Sequence, residues 1–209
     1  MTMVEAVIFD IGNVLIKWDP IQFYDRVIGV DARRALFAAV DLEGMNLAVD
    51  AGADLHQAVE EMAAQYPEHA GSIRMWRDNW LEFVIGPIDG SVALLRRLRA
   101  AGVPVHALTN FGHTPLAMAD AAFPFLLEFD SRFVSAELGV CKPDPAIYAA
   151  VEQSLGIPAK GLFFIDDKRE NTSAASARGW QTHFFEGSEA LVHDLDALGV
   201  AGARFGWAT

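Results

Sequence analysis

The 209-residue sequence predicts an α/β fold, a doubly wound parallel sheet core that carries a small α-helical cap. Three observations lead there. Short apolar runs rich in β-favouring residues recur along the chain, helix-patterned stretches separate them, and one long segment, residues 17–86, breaks the alternation with helical patterning alone. Strands joined through helices pair in parallel and are covered on both faces, so they read as continuous apolar runs.

The first run, VEAVIFD (residues 4–10), is a buried strand that stops at the turn pair Gly12-Asn13. Residues 17–84 contain no convincing strand. There Leu55, Ala58, Val59, Met62 and Ala63 fit one helical stripe, and residues 73–84 carry Trp76, Trp80 and Phe83 at similar spacing, read as cap core and not as a ligand box. Gly86-Pro87-Ile88-Asp89-Gly90 is the return hinge, paired with a crossing near residues 16–20. The division expected is residues 1–16 and 87–209 for the core and 17–86 for the cap. Residues 91–101 form a helix with Val92, Leu95 and Leu98 on one face, stopped by Gly102. Strands follow at VPVHALT (103–109), at 132–134, at GLFFIDD (161–167) and at 181–185. Asp144 caps a helix that has Pro145 in its first turn and ends at Gly156. The chain has no internal repeat, and its tail after Gly199 is weakly patterned.

Composition narrows the function. With 16 Lys and Arg against 28 Asp and Glu, the net charge is −12, and no basic stripe offers itself to a phosphate backbone, so nucleic acid is not an expected partner. No apolar run reaches the roughly 18 residues that span a membrane, and Met1 leads directly into a strand, so a cytoplasmic protein without a membrane partner is expected. The single cysteine, Cys141, fits a reducing compartment. Hydrophobic residues make up 52% of the chain, enough for a substantial core.

Ligands of doubly wound sheets bind beyond the carboxyl ends of the strands, and polar residues collect there in this chain. Asp10 ends the first strand, Thr109-Asn110 the second, and Asp166-Asp167 the one that starts at Gly161; Lys142 precedes a helix. Carboxylates, a hydroxyl or amide and an ammonium are what a hard cation next to a phosphate needs. Each also has a plainer reading. Asp10 can cap a turn, although an acid closing a buried strand is costly unless paired. Thr109 is an ordinary β residue and Asn110 a turn former; Lys142 alone is a surface lysine; Asp166-Asp167 can cap a helix. Asn171 can serve only its loop, and Cys141 is read as a small buried residue, not an activated thiol.

The segments FDIGNVLI (9–16), LTN (108–110), GVCKPDPAIY (139–148) and FFIDDKRENTSAASARGW (163–180), in that order, resemble the four motifs of the haloacid dehalogenase superfamily, and FDxGNV resembles its bacterial subgroup with sugar 1-phosphate phosphatases. The resemblance implies a Rossmann-like core with an α-helical cap inserted after the first motif. It implies a hydrolase, a phosphatase of a small phosphorylated metabolite, with Asp10 as nucleophile and Lys142 as its catalytic partner. Mg²⁺ would be held by Asp10, the Gly12 carbonyl and Asp167, with Asp166 behind it, and Thr109, Asn110, Gly12 and Asn13 would bind substrate. One position departs: phosphatases of the superfamily usually carry a second aspartate where this chain has Gly12. The loss of such an acid and base typically costs about 10² to 10⁴ in rate. Three readings follow: a phosphatase that uses good leaving groups or another proton donor, with His113 and Asp19 as candidates; a metal-free 2-haloacid dehalogenase; or a binding or regulatory protein. Substrate choice is expected to fall to cap side chains such as Trp18, Met45, Asn46 and Trp76.

Overall fold

The computed structural model describes residues 3–203; residues 204–209 of the weakly patterned tail lie outside them. In chain order the elements are β1 (Ala6–Phe9), β2 (Ile16–Trp18), α1 (Pro20–Ile28), α2 (Val30–Ala39), α3 (Leu42–Asp50), α4 (Leu55–Gln65), α5 (Ala70–Asp78), β3 (Val84–Pro87), α6 (Asp89–Ala100), β4 (Val105–Thr109), α7 (His113–Ala122), β5 (Ser131–Val134), α8 (Ser135–Leu138), α9 (Pro145–Leu155), β6 (Leu162–Asp166), α10 (Arg169–Ala177), β7 (Gln181–Phe184) and α11 (Ser188–Ala197).

The main sheet has the order β5-β4-β1-β6-β7, and every pairing in it is parallel. The α/β fold with a doubly wound, Rossmann-like parallel sheet is therefore the observed one. Strand β1 lies at the centre and shows why its run is apolar throughout. Val7 and Phe9 join the larger core on one face, while Ala6 and Ile8 pack with Tyr148, Phe164 and Trp180 on the other. Register then fixes the site: Phe9 lies opposite Ile165 and Ala107, so the residues that follow, Asp10 and Asp166, emerge side by side where the strands end. The α9 helix starts where expected, with the Asp144 carboxylate accepting from the Ala146 N–H at 2.8 Å, and closes on Gly156 at φ 65°, a conformation that suits glycine.

Two expectations fail between residues 16 and 87. Ile16–Trp18 and Val84–Pro87 are not plain crossings; they pair as an antiparallel ribbon with a bulge at Lys17/Trp18. Gly86-Pro87 reads as turn chemistry in sequence, yet proline is tolerated in a two-stranded ribbon because only one edge of each strand is paired. The helix expected over 73–84 also ends early: α5 stops at Asp78, and Trp80–Phe83 form a 3₁₀ turn. Packing accounts for that break. Trp18 lies 5.0 Å from Trp80 and 5.2 Å from Phe83, ring centre to ring centre, and Phe83 lies 5.1 Å from Trp76. Closing this aromatic cluster outweighs one more helical turn. Five α-helices, α1 to α5, thus stand between the two ribbon strands.

Helix α3 reaches the carboxyl end of the main sheet through close contacts. A side chain added at Gly112 would meet Val49 Cγ1 at 2.5 Å, so a glycine is needed for the helix to approach. Ser135 Oγ donates to the Asp50 carbonyl at 2.5 Å and accepts from the Phe111 N–H at 2.9 Å. No helix among the described residues is long and apolar enough to cross a membrane.

Candidate active site

Three strand ends, those of β1, β4 and β6, and the Lys142 loop build the site. Asp10 follows β1; its Oδ1 accepts from the Ile11 N–H at 2.7 Å and faces Lys142 Nζ at 2.9 Å, which fixes the carboxylate plane. Lys142 is almost wholly buried, and its ammonium also meets Asp166 Oδ2 at 2.7 Å and donates to the Leu108 carbonyl at 2.9 Å. A buried ammonium with two carboxylates and a carbonyl has all three protons placed. Burial alone would lower the Lys142 pKa, but Asp10 and Asp166 carry it above the usual lysine value, so the residue is a fixed cation.

Asp166 is fully buried and its oxygens are occupied. Oδ1 accepts from the Lys168 N–H at 2.8 Å, the Asn171 amide lies 3.0 Å from both oxygens, and Oδ2 takes the lysine. Asp167 is half-buried and lines the cavity, held by Asn13 Nδ2 at 3.2 Å. Asn13 sits at φ 53°, a left-handed conformation that asparagine tolerates, and its Oδ1 accepts from the Trp18 N–H at 3.0 Å. Asp10, Asp166 and Asp167 each offer an oxygen, all within 4.8 Å of one another. Burial pushes Asp10 up to about 6 against the pull of Lys142, with Asp166 adding to the rise, and burial and Asp166 likewise raise Asp167. Three acids share one ammonium, a deficit of two positive charges that suits a divalent cation with oxygen ligands.

The remaining expected residues divide. Thr109 Oγ1 is buried without a partner and its residue lines the cavity, a hydroxyl available to a ligand. Asn110 also lines the cavity, but its amide is committed: Oδ1 accepts from the Lys142 N–H at 2.8 Å and Nδ2 donates to the Lys142 carbonyl at 3.0 Å. Its side chain braces the lysine loop. Gly12 lines the cavity as well, with nothing within 4 Å of where a Cβ would stand. His113 is exposed and outside the cavity wall, whereas Asp19 is on the wall with its Oδ1 capping α1 through the Gln22 N–H. Trp18, Asn46 and Trp76 line the cavity; Met45 is buried in the core instead. Cys141 is only half-buried, and burial raises its thiol, so it is not an activated nucleophile.

The cavity holds about 710 Å³, within the range usual for small-molecule sites. Several of its residues escaped sequence reasoning, two of them charged groups near the acid cluster. Lys168 stands at the exposed side of the wall, and Asp50, the last residue of α3, faces the acid cluster from the helical insert. A carboxylate at a helix C-terminus is disfavoured by the helix dipole, and that misfit was the available signal for Asp50.

A Rossmann-like parallel sheet with this acid cluster and one buried lysine at the carboxyl ends of its strands places charged groups where such sheets bind ligands. The chain belongs to the haloacid dehalogenase-like hydrolase family, whose model matches residues 4–179. It is 29% identical over 185 residues, 85% of this chain and 88% of the relative, to the sesquiterpene phosphatase astK of Aspergillus oryzae. It is 28% identical over 111 residues, 53% of this chain and 49% of the relative, to an (S)-2-haloacid dehalogenase of Pseudomonas fluorescens. Among solved structures it superposes on the family enzyme bt-2542 of Bacteroides thetaiotaomicron in complex with magnesium and inorganic phosphate, at a TM-score of 0.70 and 23% identity over 88% of this chain and 95% of that one. At that identity the likeness is one of fold.

Proposed function

We propose that this hydrolase is a Mg²⁺-dependent phosphatase of a small phosphorylated metabolite that works through an aspartyl-phosphate on Asp10. The observation that carries the reading is the acid triad around Lys142, next to the orphaned Thr109 hydroxyl. A metal-free dehalogenase gains nothing from three carboxylates within 4.8 Å, whose mutual repulsion works against ionising the nucleophile. The phosphatase and magnesium–phosphate names among the relatives point the same way, while the dehalogenase relative supports the competing reading.

In this reading Asp10, the Gly12 carbonyl and the open carboxylate of Asp167 hold the cation, and Asp166, whose oxygens are already taken, keeps Lys142 and the loop in place. Once bound, Mg²⁺ neutralises phosphoryl oxygens and the excess acid charge. Asp10 attacks phosphorus, and the reaction depends chiefly on position and charge, so a weakly basic carboxylate suffices. Lys142 offsets the developing charge, Thr109 Oγ1 and the Asn110 N–H bind the phosphoryl group, and Asn13 orients Asp167. Residues 17–86 act as a cap over the core of residues 1–16 and 87–209, and exclude competing water. Trp18 offers the substrate an apolar ring, backed by the almost wholly buried Trp76 and Trp80, with Asp19 and Asn46 as polar partners on the same wall. A sugar phosphate, with an apolar ring face and hydroxyls, matches that wall.

The test is a panel of phosphometabolites and p-nitrophenyl phosphate with Mg²⁺, repeated with chelator, alongside 2-chloropropionate. Phosphate release with Mg²⁺ that falls by about 10³-fold or more on chelation is expected. Chloride release that survives the chelator would establish the dehalogenase instead.

A further inference from the structure

Gly12 leaves the first motif without a proton donor, and the same cavity wall carries another carboxyl group, that of Asp50. We infer that Asp50, carried by α3 of the helical insert, is the general acid and base of this enzyme. The inference rests on the phosphatase reading above and extends it.

Position comes first. Three contacts seat the end of α3 on the carboxyl edge of the sheet: Gly112 against Val49, and Ser135 Oγ linking the Asp50 carbonyl to the Phe111 N–H. These hold Asp50 on the wall of the cavity that Asp10, Gly12, Thr109 and Lys142 also line. The space beside Gly12 is open, with nothing within 4 Å of an added Cβ, so a leaving group has room there.

Orientation is also set. Trp76 Nε1 donates to Asn46 Oδ1 at 3.2 Å, and because an indole nitrogen can only donate, the Asn46 amide must turn its NH₂ to Asp50. That NH₂ donates to Asp50 Oδ2 at 2.9 Å. Oδ2 is thereby an acceptor with a fixed partner, which holds the carboxyl group in one orientation. Burial is the main cause that lifts Asp50 to about 7, eased by the Gly112 N–H and Lys168, raised by Asp10 and lowered by Lys142. Cys141 is the other titratable neighbour that senses it. The group exchanges its proton near neutrality, as an acid that must later act as base requires.

The steps balance. As Asp10 bonds to phosphorus, the bond from phosphorus to the leaving oxygen breaks, its electron pair stays on that oxygen, and the Asp50 proton neutralises it. Asp50, now a carboxylate, takes a proton from water as the water oxygen attacks phosphorus, and the Asp10–phosphorus bond breaks with its pair returning to Asp10.

The experiment compares an alkyl phosphate with p-nitrophenyl phosphate, whose phenolate leaves without help, in wild type, Asp50→Asn, Asp50→Glu and Asp50→Asn/Gly12→Asp, all with Mg²⁺. Asp50→Asn should lower kcat on the alkyl ester by about 10² or more and on the aryl ester by a much smaller factor, with loss of the limb of the kcat–pH profile near 7. Asp50→Glu and the double variant should recover part of the alkyl rate. Equal losses on both esters, a change in KM alone, or an unaltered pH profile would show that Asp50 only binds substrate or supports the fold. A wild type that hydrolyses neither ester overturns the phosphatase reading and this inference with it, whereas turnover with an unchanged alkyl-to-aryl ratio overturns only the inference.

Discussion

Asp10→Asn is expected to abolish turnover of every phosphate ester, by at least about 10⁴-fold in kcat, while the protein stays folded. The amide keeps the size of the carboxylate, and its oxygen can still accept from the Ile11 N–H and face Lys142, so the contacts of Oδ1 survive. What it lacks is a nucleophilic oxygen. Stability should move in the opposite direction. The Asp10 pKa is raised to about 6 in the fold, against an ordinary value of 3.8, so its contribution is fully present below the ordinary value and is lost as pH rises through 6. Without metal at pH 8 the variant, which carries no buried charge there, should therefore melt above the wild type, and the gain should vanish at pH 4. Activity within tenfold of the wild type would remove Asp10 from the nucleophile role.

Lys142→Met is the second large effect. The substitution fills a similar volume but strands Asp10 and Asp166 with no ammonium between them, and removal of one partner from a buried charge cluster typically costs about 3–5 kcal/mol. With the lysine gone, Asp10 loses the charge that pulls its pKa down and should bind its proton more tightly. The loss measured by denaturant unfolding should accordingly be large at pH 8 and shrink towards pH 5, where Asp10 is protonated. Activity should fall by about 10² or more even in excess Mg²⁺, because the phosphoryl group loses a fixed charge that the cation does not replace. An unfolding midpoint that matches the wild type at pH 8 would contradict the cluster's electrostatics.

The parts of this protein that sequence conveys are those governed by local pattern. Strands β1 and β6 are apolar runs and β4 is one interrupted only by His106, each closed by the polar residue that enters the site, and the Asp144 and Gly156 signals bracket α9 as expected. The ribbon of β2 and β3 was hidden because a strand of three residues and one that ends in Gly-Pro carry almost no periodicity. The helix break after Asp78 depends on the packing of Trp80 and Phe83 against Trp18, a contact between distant segments. Within the site, residue type foretold which residues gather but not what each amide does: Asn110 braces the Lys142 backbone, and Asn13 holds Asp167. Asp50 reaches the cavity only through the docking of α3, which no local motif encodes.

The covalent intermediate is the most direct test. Wild-type protein mixed with p-nitrophenyl phosphate and Mg²⁺, quenched in acid within one turnover and digested, should yield a phosphorylated peptide that contains Asp10 and vanishes with chelator. Steady release of nitrophenol with that peptide unmodified, or with the phosphoryl group on another residue, would contradict the account at its root.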